Sequence, residues 1–296
     1  MDAADIESVV ASCSNAGRWG PDDELGTLNL LTPEVRRRAA ALVREGVSVS
    51  MSAGLSLDSN PFSDNLQEHS AYPDPAAAVA VADTVTLRIH GWGTHLDALG
   101  HIYNDGVGYN GRRQAEVFDE NGLTVNAITA MRDGIFTRGV LLDVAATLGE
   151  SWLSADHLVT RDELERAEQA AGIRVESGDA VFVRTGLAAR IRSGSAGDTD
   201  ARAGLGIDAV AWLHQRDAAV FGGDCVERLP SPDPALPLPL HQIGITAMGL
   251  VLLDWPDLDR LTDACAGYRR HEFLLTVAPL PIAGGTGSPV NPIATF

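Results

Sequence analysis

The 296-residue sequence contains no lysine, so all 22 basic side chains are arginine. Against 40 Asp and Glu residues this leaves a formal net charge of −18. That balance argues against a nucleic-acid backbone or an anionic membrane surface as partner, and it gives no reason to expect a highly anionic substrate. Cysteine is scarce as well. Cys13, Cys225 and Cys265 are too far apart for a CxxC knuckle and too few for a disulfide framework. An odd, unpatterned count suits a reducing compartment, where a small buried apolar role is the commoner one. No apolar run is long enough to span a bilayer. The start, MDAADIESVVASCS, lacks the basic segment and long apolar stretch of a secretory signal. The glycines of GGTG at 284–287 lack the lysine and helix start of a phosphate loop. Repeats, coiled-coil heptads and domain linkers are also missing. These absences predict a soluble, cytoplasmic protein with one domain over 1–296.

Hydrophobic residues make up 45% and charged residues 21%, the proportions of an ordinary globular protein with a sizeable core. Residues 14–31 are rich in turn formers around Trp19, which is either a plug over the core or part of a pocket wall. Thr32-Pro33-Glu34 reads as a helix start, with the helix running to a stop at Gly46. The 47–57 stretch alternates as a strand, which completes an N-terminal loop, helix and strand over 1–57. Residues 58–80, with three prolines, read as an irregular excursion, and 84–89 (TVTLRI) as a strand. Further strands are expected at 139–144, 179–184, 218–221, 250–254 and 273–278. Helices are expected from the capping box at Thr160 to Gly172, over 208–216, and from His241 towards Gly249. Strands and helices mix throughout, so the class is α/β or α+β.

Residues 90–101 read HGWGTHLDALGH and concentrate imidazoles and a carboxylate, the ligands of divalent metals. His95 and Asp97 are two apart and share a face of an extended chain. Asp97 and His101 are four apart and share a face of a helix. A strand turning into a helix near Asp97 would aim all three at one point. His90 fits neither period and joins only if the neighbouring glycines bend the backbone. The polar loop that follows, 102–114, offers Tyr103, Asn104 and Tyr109 as substrate contacts.

THLDALGH, together with the late His241 and the closing GGTGSPVNPIA, resembles the cyclase family of metal-dependent hydrolases, which includes kynurenine formamidase and isatin hydrolase. RWGPDDELGTLNLLTPE, GVLLDV, GDAVFVRTG and GGDCVE look like its longer members, so the resemblance covers most of the chain. It implies a fold built around a β-barrel-like mixed sheet with surrounding helices, and a homodimer or homotetramer. In the family motif HxGTHxDxxxH, two histidines and the aspartate bind metal and the last histidine is the general acid/base. By the resemblance His95 and Asp97 are ligands, His101 is the acid/base and His241 is a later ligand. The motif's first histidine falls on Gly91 here, with His90 beside it as the substitute through a shifted backbone. A late family glutamate is replaced by Asp254. One divalent ion, zinc or manganese, is the implied cofactor.

The expected activity is hydrolysis of an amide, formamide or lactone in a small cyclic or aromatic molecule, with Trp19, Tyr103 and Asn104 contacting substrate and Thr94 orienting a ligand. The alternative is a cyclase or lyase of secondary metabolism that uses the same pocket with a repurposed or lost metal site. A non-enzymatic binding protein on the same fold is a third possibility.

Overall fold

The structure is a computed structural model that describes residues 3–53, 66–72, 79–91, 93–195, 201–225 and 227–296. Its centre is a nine-stranded mixed sheet that curls into a half-barrel. In chain order the strands are β1 (Ser48–Ser50), β2 (His95–Asp97), β3 (Ile135–Asp143), β4 (Ala180–Arg184), β5 (Val220–Gly223), β6 (Val251–Asp254), β7 (Glu272–Val277), β8 (Gly287–Pro289) and β9 (Ile293–Thr295). They lie in the order β1-β9-β7-β3-β4-β5-β6-β2-β8. The four middle strands, β3 to β6, run parallel, and the other pairings are antiparallel. Parallel strands are covered on both faces, which explains their unbroken apolar runs: every residue of β4, β5 and β6 is buried. The helices Arg161–Ala171 and Leu258–Tyr268 pack against this centre. The capping box at Thr160 forms as expected, and Gly172 closes the helix in the left-handed region at φ 65°.

Several expectations need correction. The helix opened by Thr32 spans Pro33–Ala40 and does not run to Gly46. The reason lies in the turn beyond it, where the Glu45 and Gly46 amides donate to the Phe296 carbonyl at 3.2 and 2.9 Å. The strand expected over 47–57 is only β1 among the described residues, and 54–57 lie outside them. The excursion at 58–80 is partly regular: Leu66–Tyr72 pairs antiparallel with Ala80–Thr86 as a hairpin. Residues 54–65 and 73–78 lie outside the described residues. Of the strand expected at 84–89 only 84–86 form, at the end of the second arm, Ala80–Thr86, which is exposed along its whole length; 87–89 are irregular. Alternation fixes the period of a strand but not the sheet it joins.

The stretch after Asp97 is a turn and not a helix. Its backbone donors are taken by other partners, with Ala98 N–H donating to Thr286 O at 3.0 Å, Gly100 N–H to Asn126 O at 2.9 Å, and His101 N–H to Ala98 O at 3.0 Å. The stretch from His241 is helical as expected, but as a π-helix, His241–Met248, which ends at Gly249 with φ 63°. A Cβ on Gly249 would come within 2.5 Å of the Tyr109 ring, so this position needs glycine for space as well as for backbone. The N-terminal loop is fastened to this helix end, since Thr27 N–H donates to Gly249 O at 2.9 Å and Asn15 N–H to Ala247 O at 2.9 Å.

Candidate metal centre

The sheet itself brings the candidate ligands together. Strands β6 and β2 are antiparallel, and Asp254 lies directly opposite His95. Side chains paired in this way share a face with their Cβ atoms about 5 Å apart. Asp97 follows two residues later on the same face as His95. His241 enters from the first turn of the π-helix just upstream of β6, and single π turns are frequent at functional sites. His90 arrives from the chain between the hairpin and β2.

His90, His95 and Asp97 place ligand atoms within 4.8 Å of one another, and so do Asp97, His241 and Asp254. Asp97 is the shared member. Its Oδ1 is 3.1 Å from His90 Nδ1 and 3.5 Å from His95 Nε2, and its Oδ2 is 3.4 Å from His241 Nε2. Asp254 Oδ2 is 3.4 Å from His241 Nε2 and 3.9 Å from His95 Nε2. Asp97 and Asp254 are almost wholly buried, at 1% and 5% exposure. Yet both Asp97 oxygens, Asp254 Oδ1 and His90 Nδ1 lack an aligned hydrogen-bond partner. Buried carboxylate oxygens without donors are costly and call for a counter-charge. A divalent cation among these imidazoles and carboxylates would supply that counter-charge, and the donor set fits one.

Each histidine has its other ring nitrogen held from outside the cluster. His95 Nδ1 is 2.8 Å from the Gly93 carbonyl, His90 Nε2 is 2.9 Å from Thr286 Oγ1, and His241 Nδ1 is 2.8 Å from Glu227 Oε1. These contacts turn Nε2 of His95, Nε2 of His241 and Nδ1 of His90 towards Asp97. His101 stands outside the ligand group. Its ring stacks on His90, with centroids 3.5 Å apart and planes 3° from parallel.

The electrostatics of the metal-free cluster follow from this packing. Burial tends to raise the Asp97 pKa, but contact with His241 and His90, reinforced by His101 and His95, outweighs it and holds the group well below the usual carboxylate range. Burial tends to lower the His241 pKa, but Asp254, Asp97 and Glu227 raise it well above the usual imidazole value. His101 is pushed down to about 4, first by burial and then by neighbouring His90 and His241, against the pull of Asp97 and Asp254. It is therefore neutral near pH 7.

The remaining sequence candidates fall in several places. Tyr103 is half-buried, and its hydroxyl is buried without a hydrogen-bond partner. Asn104 Oδ1 accepts from Gln242 Nε2 at 3.1 Å, which ties the polar loop to the residue after His241. Trp19 is not part of the cluster; it sits half-buried under the Arg18 guanidinium, 4.8 Å from its ring centroid. Tyr109 is fully buried, and its hydroxyl donates to Asp23 at 2.9 Å, so it is a clamp between loops. Thr94 does not orient a ligand. Its hydroxyl accepts from Ala53 N–H at 2.8 Å and donates to Trp255 O at 2.7 Å, stapling two segments beside the cluster. Sequence reasoning missed Glu227 and Thr286 as partners of the candidate ligand histidines. Both lie inside quoted motifs, GGDCVE and GGTGSPVNPIA, but neither spacing marks them.

Comparisons with known proteins bear on the fold and the family. A solved cyclase structure is similar over 96% of this chain and 99% of its own, at 30% identity and a TM-score of 0.86. Isatin hydrolase A from Ralstonia solanacearum shares the fold at 23% identity, with 89% of this chain and 97% of that one covered and a TM-score of 0.62. Isatin hydrolase A from Labrenzia aggregata, bound to benzyl benzoate, shares it at 21% identity over 89% and 98%, with a TM-score of 0.61. No curated protein matches by sequence. Among the described residues no helix is long and apolar enough to cross a membrane. The model of the Cyclase family matches residues 33–228, two thirds of the sequence, and the chain belongs to that family.

Proposed function

We propose that this protein is a metal-dependent hydrolase that cleaves an amide, formamide or lactone bond in a small cyclic or aromatic molecule. The observation that carries this reading is Asp97, a buried carboxylate with both oxygens undonated and His90, His95, His241 and Asp254 gathered around it. His90, His95, Asp97, His241 and Asp254 would hold one divalent ion, zinc or manganese. Such an ion supplies a water of lowered pKa and polarises the scissile carbonyl. His101, stacked on His90 and outside the ligand group, takes the proton from the attacking water and returns it to the leaving group. The His90 ring fixes the plane of that imidazole. Tyr103, Asn104 and Trp19 are proposed as substrate contacts; the free Tyr103 hydroxyl and the bond from Gln242 to Asn104 support the first two.

The lost-metal alternative rests on the altered ligand set, with Gly91 where the family motif has a histidine and Asp254 where it has a glutamate. A retained site is supported by His90 Nδ1, 3.1 Å from Asp97, and by Asp254 Oδ2, 3.4 Å from His241 Nε2. The isatin hydrolase neighbours make cyclic amides the first substrates to try. The test is turnover of a panel of cyclic amides, N-formyl anilines and lactones before and after chelation. The reading expects hydrolysis that is lost with chelator and restored by Mn²⁺ or Zn²⁺. Turnover indifferent to chelator would refute it. A homo-oligomer is also proposed, supported by the exposed hairpin with Val79, Val81 and Val85 at 85%, 82% and 46% exposure. Light scattering tests it, and a monomeric mass would contradict it.

A further inference from the structure

Glu227 is 2% exposed, and both of its carboxylate oxygens are engaged at the root of His241. Oε1 accepts from the His241 backbone N–H at 2.8 Å and lies 2.8 Å from ring Nδ1. Oε2 accepts from the Leu240 N–H at 3.2 Å. Both oxygens thus already serve as acceptors for backbone N–H groups, which places Oε1 to accept from ring Nδ1 as well. Nε2 is the atom left to face Asp97 and Asp254, 3.4 Å from each. The outer partners of the other two histidines are neutral, a carbonyl on His95 and a hydroxyl on His90. Among these three partners only Glu227 is a carboxylate.

The backbone that carries the carboxylate is also packed closely from behind. Gly204 abuts the peptide that follows Glu227, so closely that a Cβ there would come within 2.0 Å of Arg228 N and 2.2 Å of Glu227 C. Two residues to either side, Arg202 and Leu229 exchange backbone hydrogen bonds of 3.0 and 2.9 Å. A side chain fixed in this way can set the angle of the imidazole it touches.

We propose that Glu227 is a positioning residue for the metal centre: it fixes the His241 tautomer, aims Nε2 at the Asp97–Asp254 pair and strengthens it as a ligand. This rests on the reading that the cluster binds a divalent cation. Carboxylates behind metal-bound histidines typically change metal affinity 10- to 100-fold. Glu227 also caps the start of the π-helix, and a residue that only capped would change stability and leave affinity alone.

The test is calorimetric titration of the metal-free full chain with Mn²⁺, comparing wild type with Glu227→Gln at a temperature where circular dichroism shows both folded. The expected result is a Kd weakened about 10- to 100-fold. A Kd within about threefold of wild type, whatever the change in melting temperature, overturns the proposal. Wild type that takes up neither Mn²⁺ nor Zn²⁺ instead refutes the metal reading, so the two failures are distinct. If the variant does not fold, the Zn²⁺-loaded wild type decides the matter through the imidazole ¹⁵N signals of His241. Protonated Nδ1 with metal-bound Nε2 is expected, and metal-bound Nδ1 overturns the assignment.

Discussion

Replacing Asp97 by asparagine should uncouple metal binding from folding in a single thermal-melt experiment. Asp97 is the residue shared by both ligand groups, and it meets three histidines within 3.5 Å. A cation that binds only the folded state, at a thousandfold excess over its Kd, stabilises by about 4.1 kcal/mol. Unfolding entropy near 2.1 cal/mol/K per residue gives about 620 cal/mol/K for a chain of 296 residues. The wild-type melting temperature should therefore rise by about 7 °C at that concentration of Mn²⁺ or Zn²⁺. Removing one charge from a buried charge pair costs roughly 3–5 kcal/mol, which weakens binding by more than about 100-fold. At the same cation concentration the variant then gains at most about 1.4 kcal/mol, or about 2 °C. Differential scanning fluorimetry with and without metal reads both shifts. A variant that keeps the full wild-type shift would show that the cation binds elsewhere.

Three further outcomes follow from the same structure. His101→Gln should lower turnover by about 10²- to 10⁴-fold, the usual yield of a positioned acid/base, while the Kd for Mn²⁺ stays within about threefold; parallel loss of metal would make His101 a ligand instead. Gly249→Ala should destabilise by roughly 2–5 kcal/mol in a urea titration, combining the left-handed penalty at φ 63° with overpacking against Tyr109, and a change below about 0.5 kcal/mol would contradict the close approach. For Asp259, burial tends to raise the pKa, but Arg192 and Arg184 outweigh it and hold the group below its ordinary value near 4. A carboxylate depressed in the folded state contributes stability that is present above its unfolded pKa and lost as pH falls through the folded one. Asp259→Asn should therefore cost stability at pH 6 and flatten the decline below pH 4; an unchanged acid limb in pH-dependent melts would contradict that.

What could be read from the sequence divides along a physical line. His95 and Asp97 were legible from a local period, because two residues apart on a strand means one face in any fold. The parallel strands were legible because burial on both faces leaves an unbroken apolar run. His241 and Asp254 were reached through the family resemblance, since no local rule joins residues 144 or more positions downstream to β2. His90 fits no local period and is a candidate only through a bent backbone, because it reaches Asp97 from beyond the regular strand. The helix expected after Asp97 failed because its donors are taken by Thr286 and Asn126, partners that only the tertiary fold supplies. Glu227 and Thr286 were out of reach for the same reason, since their contacts with His241 and His90 exist only once the chain has folded. Thr94 shows the converse error: a polar side chain beside a ligand looked like its support, but its hydroxyl holds two other segments together.

The central claim is that one divalent ion sits among His90, His95, Asp97, His241 and Asp254. The most direct measurement is anomalous diffraction at the manganese edge from crystals of the protein loaded with Mn²⁺. The account predicts one strong peak bounded by those five side chains, with His101 beside it and unligated. A peak elsewhere, or none at this cluster at full loading, would contradict it.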